Sequence, residues 1–192
     1  LESMGQHQRQ AWFGCACCPS NICRFIPSLP GYIYAVKDKD VYVNLFMSNT
    51  SDLKVGGKAV SIEQTTKYPW NGDITIGINK NNAGQFNLKV RIPGWAQGTE
   101  NPYDLYQSNL KAPFKLKVNQ EDVLLRIVDG YAEINREWKK GDHIELELPM
   151  QPRLITANKA VENLRGQVAL ASGPIIYCFE DADNPELQTF KI

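Results

Sequence analysis

Four of the five cysteines in this chain fall between Trp12 and Arg24, in the stretch WFGCACCPSNICR. Cys17 and Cys18 are adjacent and directly precede Pro19, with Cys15 and Cys23 on either side. Neighbouring cysteines seldom bond to each other, because a vicinal disulfide is strained. A secreted disulfide scaffold spreads its cysteines along the chain. Crowding them into one segment points instead to a metal site or a reactive thiol. SNICRFI predicts a short helix with Ser20 or Asn21 as its cap, stopped by Pro27, Pro30 and Gly31. That reading sets Cys17 and Cys18 just before a helix N-terminus, where unpaired N–H groups and a partial positive charge favour thiolate. Thiolate is the form that attacks carbon or binds metal. Arg24, about one turn further on, adds to the same field. Two adjacent thiolates repel each other without a cation, and a soft divalent metal such as zinc suits them. Two ligands leave a tetrahedral site half built; Cys15, Cys23, His7 or another segment would have to complete it. The competing reading is burial as small hydrophobes. That reading is expected for Cys178 in IIYCFE and for Cys23 on the apolar side of ICRFI. For the Cys17–Cys18 pair both readings stay open, since no standard zinc spacing is matched.

The rest of the chain reads as strand after strand. VYVNLFM (41–47) sets Val41, Val43, Leu45 and Met47 on one face. DITIGI (73–78) alternates Ile74, Ile76 and Ile78 with polar or small residues, FNLKVRI (86–92) does so with Leu88, Val90 and Ile92, and HIELEL (143–148) with Ile144, Leu146 and Leu148. A period of two marks antiparallel sheets with one buried face. Turn residues separate the runs in VGGK (55–58), NKNNAG (79–84), VDG (128–130) and KKGD (139–142). Short strands at this spacing predict an all-β fold, an antiparallel β-sandwich. Three stretches follow: residues 1–31 without alternation, a sandwich over 32–151, and 152–192, which starts a further sheet unit with a strand, a loop and two strands around Gly173-Pro174.

Composition bounds the partners. Lys plus Arg equals Asp plus Glu at 21 each, so the formal charge is zero. Nucleic acid or an anionic membrane would call for a basic face, so neither is expected as the partner. No apolar run is long enough to span a bilayer, LESMGQHQRQ has no apolar leader core, and no cellular location is legible.

The segment Trp12, Phe13, Cys17, Cys18, Pro19, Ser20, Asn21 and Arg24 resembles the cysteine signature of the β-L-arabinofuranosidase family, glycoside hydrolase family 127. Ser20 stands where proline is common. KVRIPGWA (89–96), INREWKKGDHIELELPM (134–150) and GQVALASGPIIYCFED (166–181) are similar to the family's sandwich landmarks, so the resemblance covers nearly the whole chain. It implies a helical (α/α)6 barrel followed by jelly-roll-like β-sandwich domains, with residues 1–31 the end of that barrel. It also implies zinc held by three cysteines and a glutamate, and a cysteine nucleophile in a retaining mechanism. Carried over, Cys17 matches the nucleophile and a zinc ligand, and Cys18 a second zinc ligand. Sulfur then replaces one carboxylate of the usual retaining pair. The family's Glu-x-Cys segment, which supplies the other ligands, does not occur in this chain; its acid/base glutamate also lies upstream. The expectation is a C-terminal fragment of a glycosidase acting on an arabinose-containing glycan, partnered by an upstream barrel and inactive alone. Zinc is expected in the complete protein.

The alternative is a non-catalytic β-sandwich accessory or carbohydrate-binding module. Trp70, Trp95 and Trp138 with Tyr68, Tyr103 and Tyr106 could form a sugar-stacking platform, although sandwich aromatics more often fill cores. Asn49-Thr50-Ser51 matches a glycosylation sequon, a motif common by chance. Glu63, Glu145, Glu147 and His143 read as solvated strand residues.

Overall fold

The computed structural model describes residues 17–110, 112–178 and 180. Two helices, α1 (Cys17–Ser28) and α2 (Pro30–Ile33), lead into β1 (Tyr34–Lys37), β2 (Asp40–Val43), β3 (Asn49–Val55), β4 (Lys58–Thr66), β5 (Asp73–Asn81) and β6 (Gln85–Arg91). After two short 3-10 turns come β7 (Tyr106–Ser108), β8 (Lys115–Val118), β9 (Glu121–Asp122), β10 (Arg126–Val128), β11 (Tyr131–Glu137) and β12 (His143–Glu147). The described strands end with β13 (Pro152–Ala157), β14 (Val168–Ser172) and β15 (Ile175–Tyr177).

These strands form three sheets, in the orders β1-β2-β6-β11-β10, β3-β4-β5-β12-β8-β9 and β15-β14-β13-β7. Pairing is antiparallel except between β2 and β6. The first two sheets pack face to face as a sandwich. Val41, Val43, Phe86, Leu88 and Val90 of one meet Ile62, Ile74, Ile76, Ile78, Ile144 and Leu146 of the other in a single buried cluster. The period-two runs are therefore real, and each apolar set faces this core. The all-β sandwich expected from the sequence is the fold observed.

The tight connections sit where glycines were read as turns. Gly56 and Gly57 join β3 to β4 with φ of 54° and 77°, backbone that glycine adopts without penalty. One run departs from its reading. β2 ends at Val43, and Phe46, not Met47, turns into the core, leaving Met47 exposed. The Asn44 amide donates to the Ile33 carbonyl (2.8 Å), and its side chain accepts the Tyr131 hydroxyl (2.8 Å). Both bonds tie Asn44 to its own sheet; the chain leaves the ladder after it, and the face reverses.

The third sheet draws β7 from between the sandwich strands and is fastened to the sandwich by a buried ion pair. Arg153 on β13 donates Nε to Glu100 Oε1 (2.7 Å), Nη2 to Glu100 Oε2 (3.0 Å) and Nη1 to the Gly173 carbonyl (2.6 Å). The guanidinium also lies over the Trp95 ring, 5.2 Å from its centroid. Side-chain exposure is 3% for Arg153 and 6% for Glu100. Such a pair is tolerated in the interior because each of the three guanidinium nitrogens donates to an acceptor and both carboxylate oxygens are engaged.

Candidate metal and nucleophile site

α1 carries the cysteine pair. Cys17 and Cys18 belong to the helix itself, and so do Ser20 and Asn21, which were expected to cap it. The Ser20 hydroxyl donates to the Cys17 carbonyl (3.0 Å), a bond back along the helix rather than a cap. Asn21 accepts from the Arg24 guanidinium through its side-chain oxygen. The helix reaches further toward the N-terminus than read: Cys17, the first described residue, already belongs to it, and Pro19 lies within it. Pro27 lies inside the helix, which stops one residue later at Ser28.

The sulfurs of Cys17 and Cys18 are 3.8 Å apart. Two sulfurs each about 2.3 Å from a tetrahedral zinc stand about 3.8 Å from one another. The pair therefore fits half of a zinc site. Among the described residues no group of three or more His, Cys, Asp and Glu could hold a metal, so further ligands are not supplied there. Cys15 and His7, the substitutes considered from the sequence, lie outside the described residues. Cys23 does not join the pair; its thiol is exposed, against the expectation of burial. Cys178 is exposed too, because β15 ends at Tyr177 and the residue no longer alternates into the sheet.

α1 buries none of its twelve residues. Ile22, Phe25 and Ile26 recur at helical spacing and are all more than half exposed. The helix that bears the thiols thus presents an apolar side for which the described residues provide no cover.

Other titratable clusters serve the sandwich. Lys89 lies 2.8 Å from Asp40 and 3.1 Å from Glu133. The hydrogen bond to Asp40 holds its ammonium well above the usual lysine range, against the pull of burial. Burial pushes the Glu100 carboxyl up, but the Arg153 fork outweighs it and the net shift is downward. His143 stands 3.8 Å from Glu145 on the outer sheet face, as a partly exposed strand residue. Of the aromatics, Trp95 and Trp138 are buried, the latter donating to the Phe86 carbonyl (3.1 Å). Trp70 and Tyr103 are exposed.

The β-sandwich is the part of the architecture implied by the sequence resemblance that is observed. Residues 40–150 match the middle domain of glycoside hydrolase family 127, described as β-L-arabinofuranosidase, and residues 152–192 match the C-terminal domain of the same family. The chain belongs to glycoside hydrolase family 127. It is 35% identical over 186 residues to a non-reducing end β-L-arabinofuranosidase of Bifidobacterium longum subsp. longum, an alignment covering 92% of this chain and 25% of that protein. Among solved structures, a GH127 β-arabinofuranosidase superposes with a TM-score of 0.84 at 51% identity, over 90% of this chain and 27% of the other. A GH127 β-L-arabinofuranosidase from Geobacillus stearothermophilus T6 superposes with a TM-score of 0.79 at 36% identity, over 93% and 26%. The chain thus spans about a quarter of the length of these relatives. No described helix is long and apolar enough to cross a membrane.

Proposed function

We propose that the protein to which this chain corresponds is a zinc-thiolate retaining glycosidase acting on terminal β-L-arabinofuranosides, with Cys17 its nucleophile and Cys17 and Cys18 two of its zinc ligands. One observation carries this reading. In a chain of this family, two adjacent thiols converge to 3.8 Å on a helix whose apolar side no described residue covers.

The chemistry follows from sulfur. The Cys17 thiolate attacks the anomeric carbon, a C–S bond forms, and the glycosidic C–O bond breaks. The departing oxygen takes a proton from a carboxylic acid outside this chain. Water then attacks the same carbon, gives up a proton to the same group, and releases the thiolate; two inversions retain configuration. Bound zinc would keep both thiols deprotonated near neutral pH. Cys18 contributes by position, holding its sulfur against that of Cys17 so that one cation serves both. Ser20 and Asn21 brace the turn that fixes this placement through their bonds to the Cys17 carbonyl and to Arg24.

On this reading the upstream part of the protein, a helical barrel, covers Ile22, Phe25 and Ile26 and supplies the remaining zinc ligands and the acid/base carboxylate. These residues alone then hydrolyse nothing. The test is Cys17→Ala in the complete protein, assayed on an aryl β-L-arabinofuranoside, with elemental zinc measured on the same sample. Activity falls to background; full activity would sink the assignment. Intact mass and zinc content of the 192-residue chain give the second check, with far less than one zinc expected per chain. One bound zinc at that mass would mean that the pair finds its other ligands here.

A further inference from the structure

Trp70 departs from the other described tryptophans. It exposes 79% of its surface while Trp95 and Trp138 are buried. Its loop is nevertheless held from both ends. The Trp70 amide donates to the Lys67 carbonyl (2.9 Å), and the Tyr68 amide donates to the Thr66 hydroxyl (3.0 Å), which itself donates to the Asp73 carbonyl (2.7 Å). The Tyr68 ring packs edge-on against the core residue Phe46, with centroids 5.6 Å apart. Gly72 closes the loop: the Leu148 amide donates to its carbonyl (2.9 Å), and a Cβ at this position would stand 2.0 Å from the Leu148 carbonyl oxygen. An indole held out on a braced turn has already lost much of the freedom that binding would otherwise remove.

The Trp70 side chain lines neither groove, but its loop runs into them: at Gly72 and Asp73 the outer face of β5, β12 and β8 opens into two shallow grooves of about 530 Å³ and about 400 Å³. Both are lined by Asp73, Lys115 and Glu147, so they are continuous. Thr75, Lys117 and Glu145 extend the second along the sheet. Cross-strand pairing explains the row: Glu147 stands opposite both Asp73 and Lys115, and Glu145 opposite both Thr75 and Lys117. Every one of these side chains has hydrogen-bonding ends, and the charges nearly cancel. A polyanion finds no positive field here. The outward positions of the strands are polar, and the larger groove adds the partly exposed Ala112, Pro149 and Met150 and the exposed Pro113 at one end. A neutral ligand rich in hydroxyls suits this mixture, with donors and acceptors for its oxygens and apolar surface, the Trp70 indole included, for the C–H face of a sugar ring.

We propose that Trp70 and the groove over Asp73, Thr75, Lys115, Lys117, Glu145 and Glu147 form a glycan-binding surface on the sandwich, separate from the cysteine pair. It takes a neutral polysaccharide segment. The proposal extends the reading of the protein as glycan-directed, but it does not depend on Cys17 being the nucleophile. Trp70 supplies the stacking plane, and the Lys115–Glu147 pair, 3.2 Å apart, supplies both a donor and acceptors at the groove floor.

The experiment titrates the 192-residue chain, which on the reading above does not turn over the ligand, with an arabino-oligosaccharide of four residues. Tryptophan fluorescence and calorimetry are followed together. Saturable binding below about 10 mM is expected, with a fluorescence change that disappears in Trp70→Ala. That variant should weaken the calorimetric affinity about tenfold or more. Glu147→Gln should weaken it a few-fold with the fluorescence change retained. Far-UV circular dichroism and melting temperature should match the parent chain, since Trp70 is exposed. Absence of saturation, which assigns Trp70 to packing against polypeptide, overturns the proposal. So does binding that Trp70→Ala leaves intact. Neither result bears on activity lost or kept by Cys17→Ala in the complete protein, so the two readings fail separately.

Discussion

In the sandwich, Val41, Ile62, Ile76, Leu88 and Ile144 are wholly buried, whereas α1 buries none of its twelve residues. Both regions carry apolar side chains at the period of their secondary structure. The difference lies in what faces them. The two sheets supply each other with a core, so their alternating residues find partners within the chain. α1 has the matching helical stripe, Ile22, Phe25 and Ile26, with nothing described to pack on it. A helix of this length containing a proline draws little stability from propensity alone and depends on tertiary packing. The sandwich is therefore a scaffold that closes on itself. The thiol helix exposes its apolar stripe, and on the proposed function that stripe is where the upstream chain packs.

The largest effect that tests this division is a core truncation. Phe86 is 1% exposed, sits in the central cluster, and its ring lies 5.9 Å from that of Trp138. Phe86→Ala should lower the unfolding free energy of the chain by about 3–5 kcal/mol in urea denaturation. A loss below about 1 kcal/mol would mean the two sheets do not share one cooperative core.

Next in size is the fastening of the third sheet. Arg153→Met removes the partner of a buried carboxylate and should cost about 3 kcal/mol. Losing both partners in Arg153→Met with Glu100→Leu should cost less than the single change, because no charge is then stranded. The pair also sets an acid limit. The folded Glu100 pKa lies below its unfolded value because the Arg153 fork outweighs burial. Its contribution is thus complete above the unfolded carboxylate value of about 4.3 and is lost as pH falls through the lower folded value. Melting temperature should fall more steeply below about pH 4 in the parent than in Glu100→Gln. Parallel curves would remove Glu100 from the account.

By contrast, Lys115 and Glu147 form an ion pair on the sheet surface with side chains 62% and 59% exposed. Lys115→Ala should change stability by less than about 0.5 kcal/mol, since water and salt already screen such a pair. A larger loss would show that the outer face of β12 contributes to the fold as well as to the groove.

How much of this was legible in the sequence follows the same line. Ile74, Ile76 and Ile78, or Leu88, Val90 and Ile92, announce their buried face because strand side chains alternate strictly and one face is wet. Alternation says which face is buried and not which strand is next. Hence the parallel pairing of β2 with β6 had no sequence signal, and neither did the meeting of Arg153 with Glu100, 53 positions apart. Phe46 and Met47 exchanged places because β2 ends at Val43 and the chain leaves the ladder after Asn44, whose amide makes the last bond to the Ile33 carbonyl. Cys23 was read as buried from an apolar neighbourhood, but that neighbourhood is an exposed helix face that no described residue covers. The cysteine pair itself was legible through its motif, since two adjacent thiols before proline are rare enough to carry information. The remaining ligands that the proposed zinc site needs were not, because a metal site is assembled across a fold and no group of three or more His, Cys, Asp and Glu gathers among the described residues.

The smallest effect sharpens the comparison most. Phe25 is 53% exposed, and its described ring neighbour is Tyr32, with centroids 6.5 Å apart. Phe25→Ala should therefore leave the stability of this chain within about 0.5 kcal/mol of the parent in urea denaturation. In the complete protein the same change should cost about 3 kcal/mol, because the ring would there be packed, and zinc retention should fall with it. The ratio matters more than either value. Equal small effects in both forms would mean that α1 stands free in the whole protein, and that the position of Cys17 and Cys18 is set without the apolar side of their helix. Equal large effects would mean that α1 packs on the sandwich, and the division drawn between scaffold and thiol helix would disappear. A small effect that grows once the upstream chain is present is the outcome a helix shaped for a neighbour requires.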